Sequence, residues 1–186
     1  DRLYKDDMGF FGFFEAEDDP EIATALIARA DGWLRAKGRK RVRGPISFSM
    51  NDEIGVLIEG FDTPPFILMA HSLPYYPKLL EGCGFAKIKD LYAWRYDTGA
   101  KPADRAIAIA DRARKTEGLV IREVDMKNFM RDLRIILEIF NDVWRLNWGF
   151  VPLTESEIKK TAKDLKMFLE PKLGLIAEWK GEPVAM

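Results

Sequence analysis

Cysteine and histidine are almost absent from this sequence. Cys83 and His71 are the single residues of their kinds. One cysteine excludes an internal disulfide framework and favours a reducing compartment, so we expect a cytoplasmic protein. One histidine beside one cysteine provides neither a metal cluster nor a serine–histidine–aspartate triad, and we therefore expect no bound metal.

Long apolar runs and an excess of one charge are missing as well. The 29 lysines and arginines balance 30 aspartates and glutamates, which leaves a net charge of −1. This balance gives no global attraction to nucleic acid. No apolar run approaches the roughly 18–20 residues that span a bilayer, so we expect no membrane partner. Residues 1–7 are polar, resemble no signal peptide and begin without methionine, which predicts a cut end.

The N-terminal half of the chain alternates between strand and helix patterns. The aromatic run over 8–14 predicts a strand, and Pro20 after an acidic turn predicts the start of a helix that Gly38 ends. Apolar and polar residues alternate over 46–51, which predicts a half-buried strand. Four further elements are predicted: short strands over 54–58 and 66–69, a helix over 74–80 and a strand over 85–96.

The C-terminal half begins with an alanine-rich helix over 103–114, which follows a Gly-Ala-Lys-Pro break. A strand over 119–124 precedes an amphipathic helix over 129–144. Thr154 and Glu157 form a capping box for another helix. Two strands, over 173–179 and 184–186, complete the predicted elements.

A helix that ends in Gly84-Phe85 before the next predicted strand resembles a motif of the GNAT (N-acetyltransferase) superfamily. Other segments resemble a group of bacterial proteins with tandem GNAT-like domains, and together they cover the chain from about Met8 to Met186. These segments are Gly12-Phe13-Phe14-Glu15, Arg43-Gly44-Pro45, Asn51-Asp52-Glu53, Gly60-Phe61-Asp62-Thr63-Pro64-Pro65, Pro74-Tyr75-Tyr76, Lys89-Asp90-Leu91-Tyr92 and Asn147-Trp148-Gly149-Phe150-Val151-Pro152.

The resemblance implies an α/β fold with a GNAT-like mixed, mostly antiparallel sheet flanked by helices. Residues 1–98 would be the C-terminal half of a first GNAT-like domain, 99–117 a linker helix and 118–186 the N-terminal half of a second. The remaining halves are expected outside this chain. The implied activity is acyl transfer to an amine of a small molecule or peptide, with acetyl-CoA or another acyl-CoA as cosubstrate.

The loop that binds the coenzyme A pyrophosphate in GNAT enzymes departs from the pattern. Its glycine-rich turn is replaced here by an acidic stretch over 15–20. Carboxylates favour a helix N-terminus but repel a diphosphate, so we interpret them as helix-capping charges. The residues that bind the cofactor are therefore expected beyond Met186.

Candidate catalytic residues follow from the same resemblance. The tyrosine that protonates the leaving thiolate in GNAT enzymes corresponds to Leu80, but Tyr76 lies one helical turn earlier on the same face. Asp52 and Glu53 follow the predicted strand at 46–51 and are candidates for the base. The alternatives are a half-buried aromatic for Tyr76 and a structural turn for the two acids.

Candidate substrate-binding residues occur in both halves. In the first half, Asn51, Asp62 and Tyr75 are candidates, and turn formation is the alternative for Asp62. In the second half, the candidates are Trp144, Asn147 and Trp148, which could line an acceptor pocket. Simple core packing is the alternative for this aromatic-rich set.

Three functions stay open on the sequence alone. The first is an acyl-CoA-dependent N-acyltransferase, and the second is a non-catalytic GNAT-like binding or structural module. The third is transfer from an aminoacyl-tRNA, because a basic run over 35–43 could contact an RNA backbone or a coenzyme A phosphate. A solvated surface explains the same run, and the oligomeric state is left open.

Overall fold

The computed structural model describes residues 4–66 and 69–186, and within the last long helix it leaves the side chains at 161 and 163–168 undescribed. The chain divides into two compact units, Asp1–Tyr92 and Ala93–Met186, which we call unit 1 and unit 2. Each unit is described by itself below.

Unit 1 contains a parallel strand–helix–strand motif. Strand β1 (Met8–Phe10) pairs in parallel with β2 (Arg41–Arg43), and helix α1 (Pro20–Ala36) connects them. A shorter helix, α2 (Tyr76–Gly82), follows later in the chain. A parallel pair needs such a crossover, because a hairpin can join only antiparallel strands.

The predicted start and end of α1 are confirmed. The Asp19 side chain accepts a hydrogen bond of 2.8 Å from the backbone N–H of Glu21, and Pro20 occupies the first helical turn. Gly38 has a φ of +77°, a left-handed conformation that favours glycine after a helix end. Helices α1 and α2 enclose the core of unit 1, which is formed by Phe14, Ala23, Ile27, Tyr76, Leu79 and Leu80.

Past Phe10 and Arg43 the two chain segments leave the regular ladder but stay in close backbone contact. Phe11 donates its N–H to the Arg43 carbonyl at 3.2 Å and accepts from the Ile46 N–H at 2.8 Å. A Cβ on Gly12 would lie 2.1 Å from the Ile46 carbonyl oxygen. This approach requires glycine, because no side chain fits at that distance.

The strand predicted over 46–51 is wrong. Ile46 and Ile54 form an isolated antiparallel bridge, and the residues between them turn instead of extending. Ser47 is buried whereas Phe48 is 86% exposed with a φ of +74°, the reverse of the predicted pattern. The physical reason is that the Ser47 hydroxyl accepts a hydrogen bond from the Phe13 N–H, so the serine faces inward.

Two other strand predictions for the N-terminal half are wrong, and a third falls partly outside the described residues. Residues 54–58 contribute only the bridge at Ile54, and residues 85–96 pair with no strand in the described part of the chain. A strand needs a hydrogen-bonded neighbour, and the apolar pattern of 85–96 alone supplies none. The run over 66–69 includes residues 67 and 68, which lie outside the described residues.

Unit 2 is an antiparallel sheet with helices. It contains a three-stranded sheet in the order β3-β4-β5, with both pairs antiparallel. The elements are α3 (Asp104–Arg114), β3 (Leu119–Glu123), α4 (Phe129–Trp144), α5 (Glu155–Phe168), a 3₁₀ turn (Pro171–Leu173), β4 (Leu175–Trp179) and β5 (Glu182–Ala185).

The predicted capping box of unit 2 is confirmed. Thr154 donates its N–H and its hydroxyl to the Glu157 carboxylate, each at 2.7 Å, and its hydroxyl accepts from the Glu157 N–H at 3.3 Å. Packing of α4 and α5 beside the sheet then buries Val124, Phe129, Leu133, Ile158, Ala162 and Ile176. At this level the expected mixed α/β architecture is confirmed, with parallel and antiparallel pairing in separate sheets.

None of the described helices combines the length and the apolar character needed to cross a bilayer.

Candidate functional site

The loop between β1 and α1 is held by two tyrosines from α2 and the residue before it. The Tyr76 hydroxyl donates to the Glu15 carboxylate at 2.5 Å and accepts from the Ala16 N–H at 3.3 Å. The Tyr75 hydroxyl donates to the Ala16 carbonyl at 3.0 Å. The predicted tyrosine pair therefore fixes the backbone of the acidic loop at 15–16.

The environment of Tyr76 opposes proton release. Its side chain is only 3% exposed and packs edge-on against Phe14, with ring centroids 5.4 Å apart. Burial, followed by the hydrogen bond to Glu15, raises the pKa of Tyr76 above its ordinary value. In this conformation the hydroxyl orders the loop, and its role as a proton donor stays a prediction.

Asn51, Asp52 and Glu53 lie in one tight turn. Ser49 donates its hydroxyl to the Asp52 carboxylate at 2.6 Å and accepts from the Asn51 N–H at 3.1 Å. The backbone carbonyl of Glu53 accepts from the Ser47 N–H at 2.9 Å. The turn thus has the side-chain-to-backbone bonding of a structural turn, while the Glu53 side chain stays exposed.

Ser47 connects this turn to the loop that the tyrosines hold. Its N–H bonds Glu53, and its hydroxyl accepts from the Phe13 N–H at 3.2 Å. Residues 13–16 therefore contact the turn at 47–53 through Phe13, and the two tyrosines through Glu15 and Ala16. The structure brings two separately predicted groups onto one segment.

An exposed aromatic pair marks the same segment. The rings of Phe13 and Phe48 meet edge to face, with centroids 4.8 Å apart, although both side chains are largely exposed. Both residues have positive φ, +53° and +74°. Bulky side chains rarely adopt this conformation, and such outliers concentrate at functional sites. Neither phenylalanine was predicted as a site residue from the sequence.

Asp62 lies apart from this group. It is exposed in a turn in which the Thr63 hydroxyl donates to the Gly60 carbonyl at 3.3 Å. His71 reaches the same loop, with its Nε2 atom 3.2 Å from the Thr63 carbonyl oxygen. The local bonding is that of a turn.

The predicted aromatic set of unit 2 surrounds the end of α4. Trp144 stacks on Phe140 at 5.6 Å, and its carbonyl accepts from the Asn147 N–H at 2.8 Å. Phe140 also meets the buried Phe150 ring, again at 5.6 Å. Trp144 remains 45% exposed and Trp148 is half-buried, so these aromatics combine core packing with accessible surface.

A buried ionic cluster in unit 2 was missed from the sequence. Asp132 on α4 is fully buried, and its two oxygens bind the Arg122 guanidinium at 2.5 and 3.0 Å. Arg122 also donates to Glu178 at 2.7 Å, and Arg131 donates to Asp132 at 3.0 Å. A signal was present, since Asp132 falls on the apolar stripe of α4 beside Phe129 and Leu133.

Hydrogen bonding decides the charge of this cluster. Burial by itself would raise the pKa of Asp132, but hydrogen bonds from Arg122, from the Asp125 N–H and from Arg131 outweigh it and lower the pKa to about 2. Asp132 is therefore ionised at neutral pH. Through the Asp125 N–H, at 2.8 Å, it also fixes the loop that leads into α4.

The acidic loop and the basic run carry charges that are largely used locally. Asp19 caps α1, as predicted. In the basic run, Arg35 pairs with Asp31 at 2.6 Å and Arg41 pairs with Asp7 at 2.9 Å, and both arginines are exposed. Within the described residues, no cluster of three or more histidine, cysteine, aspartate or glutamate side chains could hold a metal.

Two curated proteins are similar to the chain over nearly its whole length. A protein named bacterial ceramide synthase, from Caulobacter vibrioides, is 42% identical over 178 residues, which are 94% of this chain and 45% of that protein. Protein YghO from Escherichia coli is 40% identical over 185 residues, 98% of this chain and 46% of that protein. The chain thus spans about half the length of these relatives. No family model and no solved structure matches it.

Proposed function

We propose that the protein containing this chain is an N-acyltransferase that joins an acyl group to the amine of a long-chain amino alcohol. The observation that carries the proposal is the 42% identity, over 94% of the chain, to a protein named bacterial ceramide synthase. A ceramide is the amide of a fatty acid and a long-chain amino alcohol, so its synthesis forms a carbon–nitrogen bond. The resemblance of the sequence to GNAT proteins supports the same bond.

The chemistry of this transfer is simple to balance. The amine nitrogen attacks the carbonyl carbon of an acyl thioester, a carbon–nitrogen bond forms and the carbon–sulfur bond breaks. A base takes the proton from the amine, and the released thiolate gains a proton. The donor that the proposal specifies is an acyl-CoA, and Asp52 or Glu53 is the base that it assigns.

The geometry of unit 1 supports a GNAT-like arrangement. Strands β1 and β2 are parallel, are connected through α1, and leave the regular ladder past Phe10 and Arg43. The exposed rings of Phe13 and Phe48 lie beyond this point, where an acyl chain would find apolar surface. We assign no phosphate contact to the loop at 15–19, because its carboxylates repel a diphosphate.

Within the proposal, Tyr75 and Tyr76 are positioning residues. Their hydroxyls bind Glu15 and Ala16 and so hold the loop that follows β1. The turn at 51–53 contacts the same segment through Ser47, which supports the assignment of the base to this turn. In unit 2, Trp144, Asn147 and Trp148 stay candidates for substrate binding.

Amide formation tests the proposal. The complete protein would be incubated with palmitoyl-CoA and sphinganine, and the amide product would be measured by mass spectrometry. Replacing the assigned base by Asp52→Asn together with Glu53→Gln should lower the rate about 100-fold or more, the usual contribution of a general base. Glu59→Gln, at an exposed position in the same unit, is the matched control and should leave the rate unchanged.

A second candidate is a non-catalytic GNAT-like binding module. One specific observation favours it, namely that the Tyr76 hydroxyl is occupied by Glu15 while carboxylates replace the usual phosphate-binding turn. Absence of amide product from long-chain and short-chain donors alike would overturn the transferase proposal and favour this module.

A further inference from the structure

A cleft of about 450 Å³ opens in unit 2 between the first turn of α4 and helix α5. Its volume falls in the range of roughly 300–1,000 Å³ that small-molecule sites occupy. Three of its described lining residues are cations, namely Lys127, Arg131 and Lys159. The described lining contains no carboxylate, and the remaining surface is largely apolar, with Met126, Met130 and Ala162 among its residues.

The guanidinium of Arg131 is fixed before any ligand arrives. Its Nε and Nη2 atoms lie 3.0 and 2.9 Å from the same oxygen of the buried Asp132. Asp125 lies farther from it, at 3.7 Å, and Nη1 contacts no described acceptor. Because a buried carboxylate holds one edge of the group, the other edge can donate to a ligand without first losing side-chain freedom.

The two lysines retain most of their capacity for a ligand. Lys159 lies 3.9 Å from the Glu155 carboxylate, at the outer limit of an ion pair, and its side chain is 63% exposed. Lys127 is exposed and forms no ion pair with the side chains that the structure describes. Lysine ammonium groups bind phosphate as compact point charges, which complements the planar donors of Arg131.

We propose that this cleft binds the phosphate head of a single-chain amphiphile and that its apolar wall takes the adjoining part of the alkyl chain. Three cations suit a phosphate, which carries up to two negative charges and three acceptor oxygens, better than a single carboxylate. The apolar residues beside them favour a ligand with attached hydrocarbon. Binding of this kind is independent of acyl transfer, because none of the residues in the cleft belongs to the assigned base or to the tyrosine pair.

Methionine-methyl NMR of the complete protein gives a site-specific test, since Met126 and Met130 line the cleft. The probes are octyl phosphate, octyl glucoside and inorganic phosphate, each below its micelle-forming concentration where that applies. We expect octyl phosphate to shift the signals of both methionines and to bind about tenfold more tightly than either other probe, as charge-assisted hydrogen bonds and apolar contact each contribute.

Matched double variants complete the test. Lys127→Gln with Lys159→Gln should weaken octyl phosphate binding about tenfold or more. Lys101→Gln with Lys115→Gln removes the same charge from exposed positions of the same unit and should leave binding unchanged. Equal binding of octyl phosphate and octyl glucoside, or equal binding of inorganic phosphate, would overturn the proposal. Equal weakening by both double variants would do so as well, because binding would then follow net charge alone.

Discussion

In unit 1 the loop that enters α1 is held by two tyrosine hydroxyls and by close backbone contact, whereas in unit 2 the loop that enters α4 is held by a buried carboxylate. Tyr75 and Tyr76 bind Ala16 in the first case, and Asp132 binds the Asp125 N–H in the second. The two arrangements perform the same task with different chemistry. They should therefore respond differently to mutation and to pH.

The largest expected effect is in unit 2. Asp132→Ala removes the acceptor of Arg122 and Arg131, and we expect a loss of about 3–5 kcal/mol, as for other broken buried ion pairs. Asp142→Ala is the matched control on the same helix, because Asp142 is 73% exposed and pairs with the exposed Arg145 at 3.5 Å. Urea unfolding measures both variants. Similar losses of unfolding free energy for the two variants would show that the buried cluster stabilises unit 2 no more than an exposed ion pair does.

The next effect tests the close backbone contact of unit 1. Gly12→Ala places a Cβ 2.1 Å from the Ile46 carbonyl oxygen, so the two segments must move apart. We expect destabilisation of about 1–3 kcal/mol. Gly32→Ala within α1 meets nothing within 4 Å and should instead stabilise the protein by about 0.5–1 kcal/mol, since alanine favours a helix. Thermal unfolding should give opposite shifts, and shifts of the same sign would contradict this description.

Acid should distinguish the units without any mutation. The pKa of Asp132 is lowered from 3.8 to about 2, so its ionisation stabilises unit 2 fully above about pH 4, and that stabilisation of about 2 kcal/mol is lost as the pH falls through about 2. In unit 1, the hydrogen bond from Arg41 lowers the pKa of Asp7, but that exposed pair contributes little. As the pH falls, amide hydrogen exchange should therefore accelerate in β3 and α4 before it accelerates in α1. The opposite order would contradict the stabilising role of Asp132.

The smallest effect separates the two tyrosines. Tyr76→Phe removes the partner of Glu15 and of the Ala16 N–H, while Tyr75→Phe removes one bond to the Ala16 carbonyl. We expect a loss of about 1–2 kcal/mol for Tyr76 and about half of that for Tyr75. Because burial and Glu15 raise the pKa of Tyr76, its stabilisation is present below about pH 10 and is lost at higher pH. A larger loss of unfolding free energy for Tyr75→Phe than for Tyr76→Phe would contradict the view that Tyr76 holds the loop more strongly.

Helix boundaries could be predicted from the sequence because their signals are local. Asp19 with Pro20, and Thr154 with Glu157, satisfy backbone groups within a few residues of themselves. Their hydrogen bonds need no distant partner. The same holds for Gly38, whose left-handed conformation stops the helix from continuing past the end of α1.

The candidate site could be predicted only in part, because its bonds join residues far apart in the chain. The alternation over 46–51 indicated a strand, but the hydrogen bond from the Phe13 N–H to Ser47 holds the serine inward and leaves Phe48 exposed. Asp132 lies on an apolar helix stripe, yet its partner Arg122 lies on β3 and is shared with Glu178 on β4. Tyr75 and Tyr76 were identified as candidates, whereas their attachment to the loop before α1 depends on tertiary packing.

The most direct test of acyl transfer is to identify the bond that the complete protein forms. Palmitoyl-CoA labelled with ¹³C at the carbonyl would be incubated with ¹⁵N-labelled sphinganine, and the product would be examined by NMR. Our account predicts a one-bond coupling between the labelled carbon and the labelled nitrogen, which only an amide gives. A labelled product without that coupling, such as an ester of a hydroxyl group, or no labelled product at all, would contradict it.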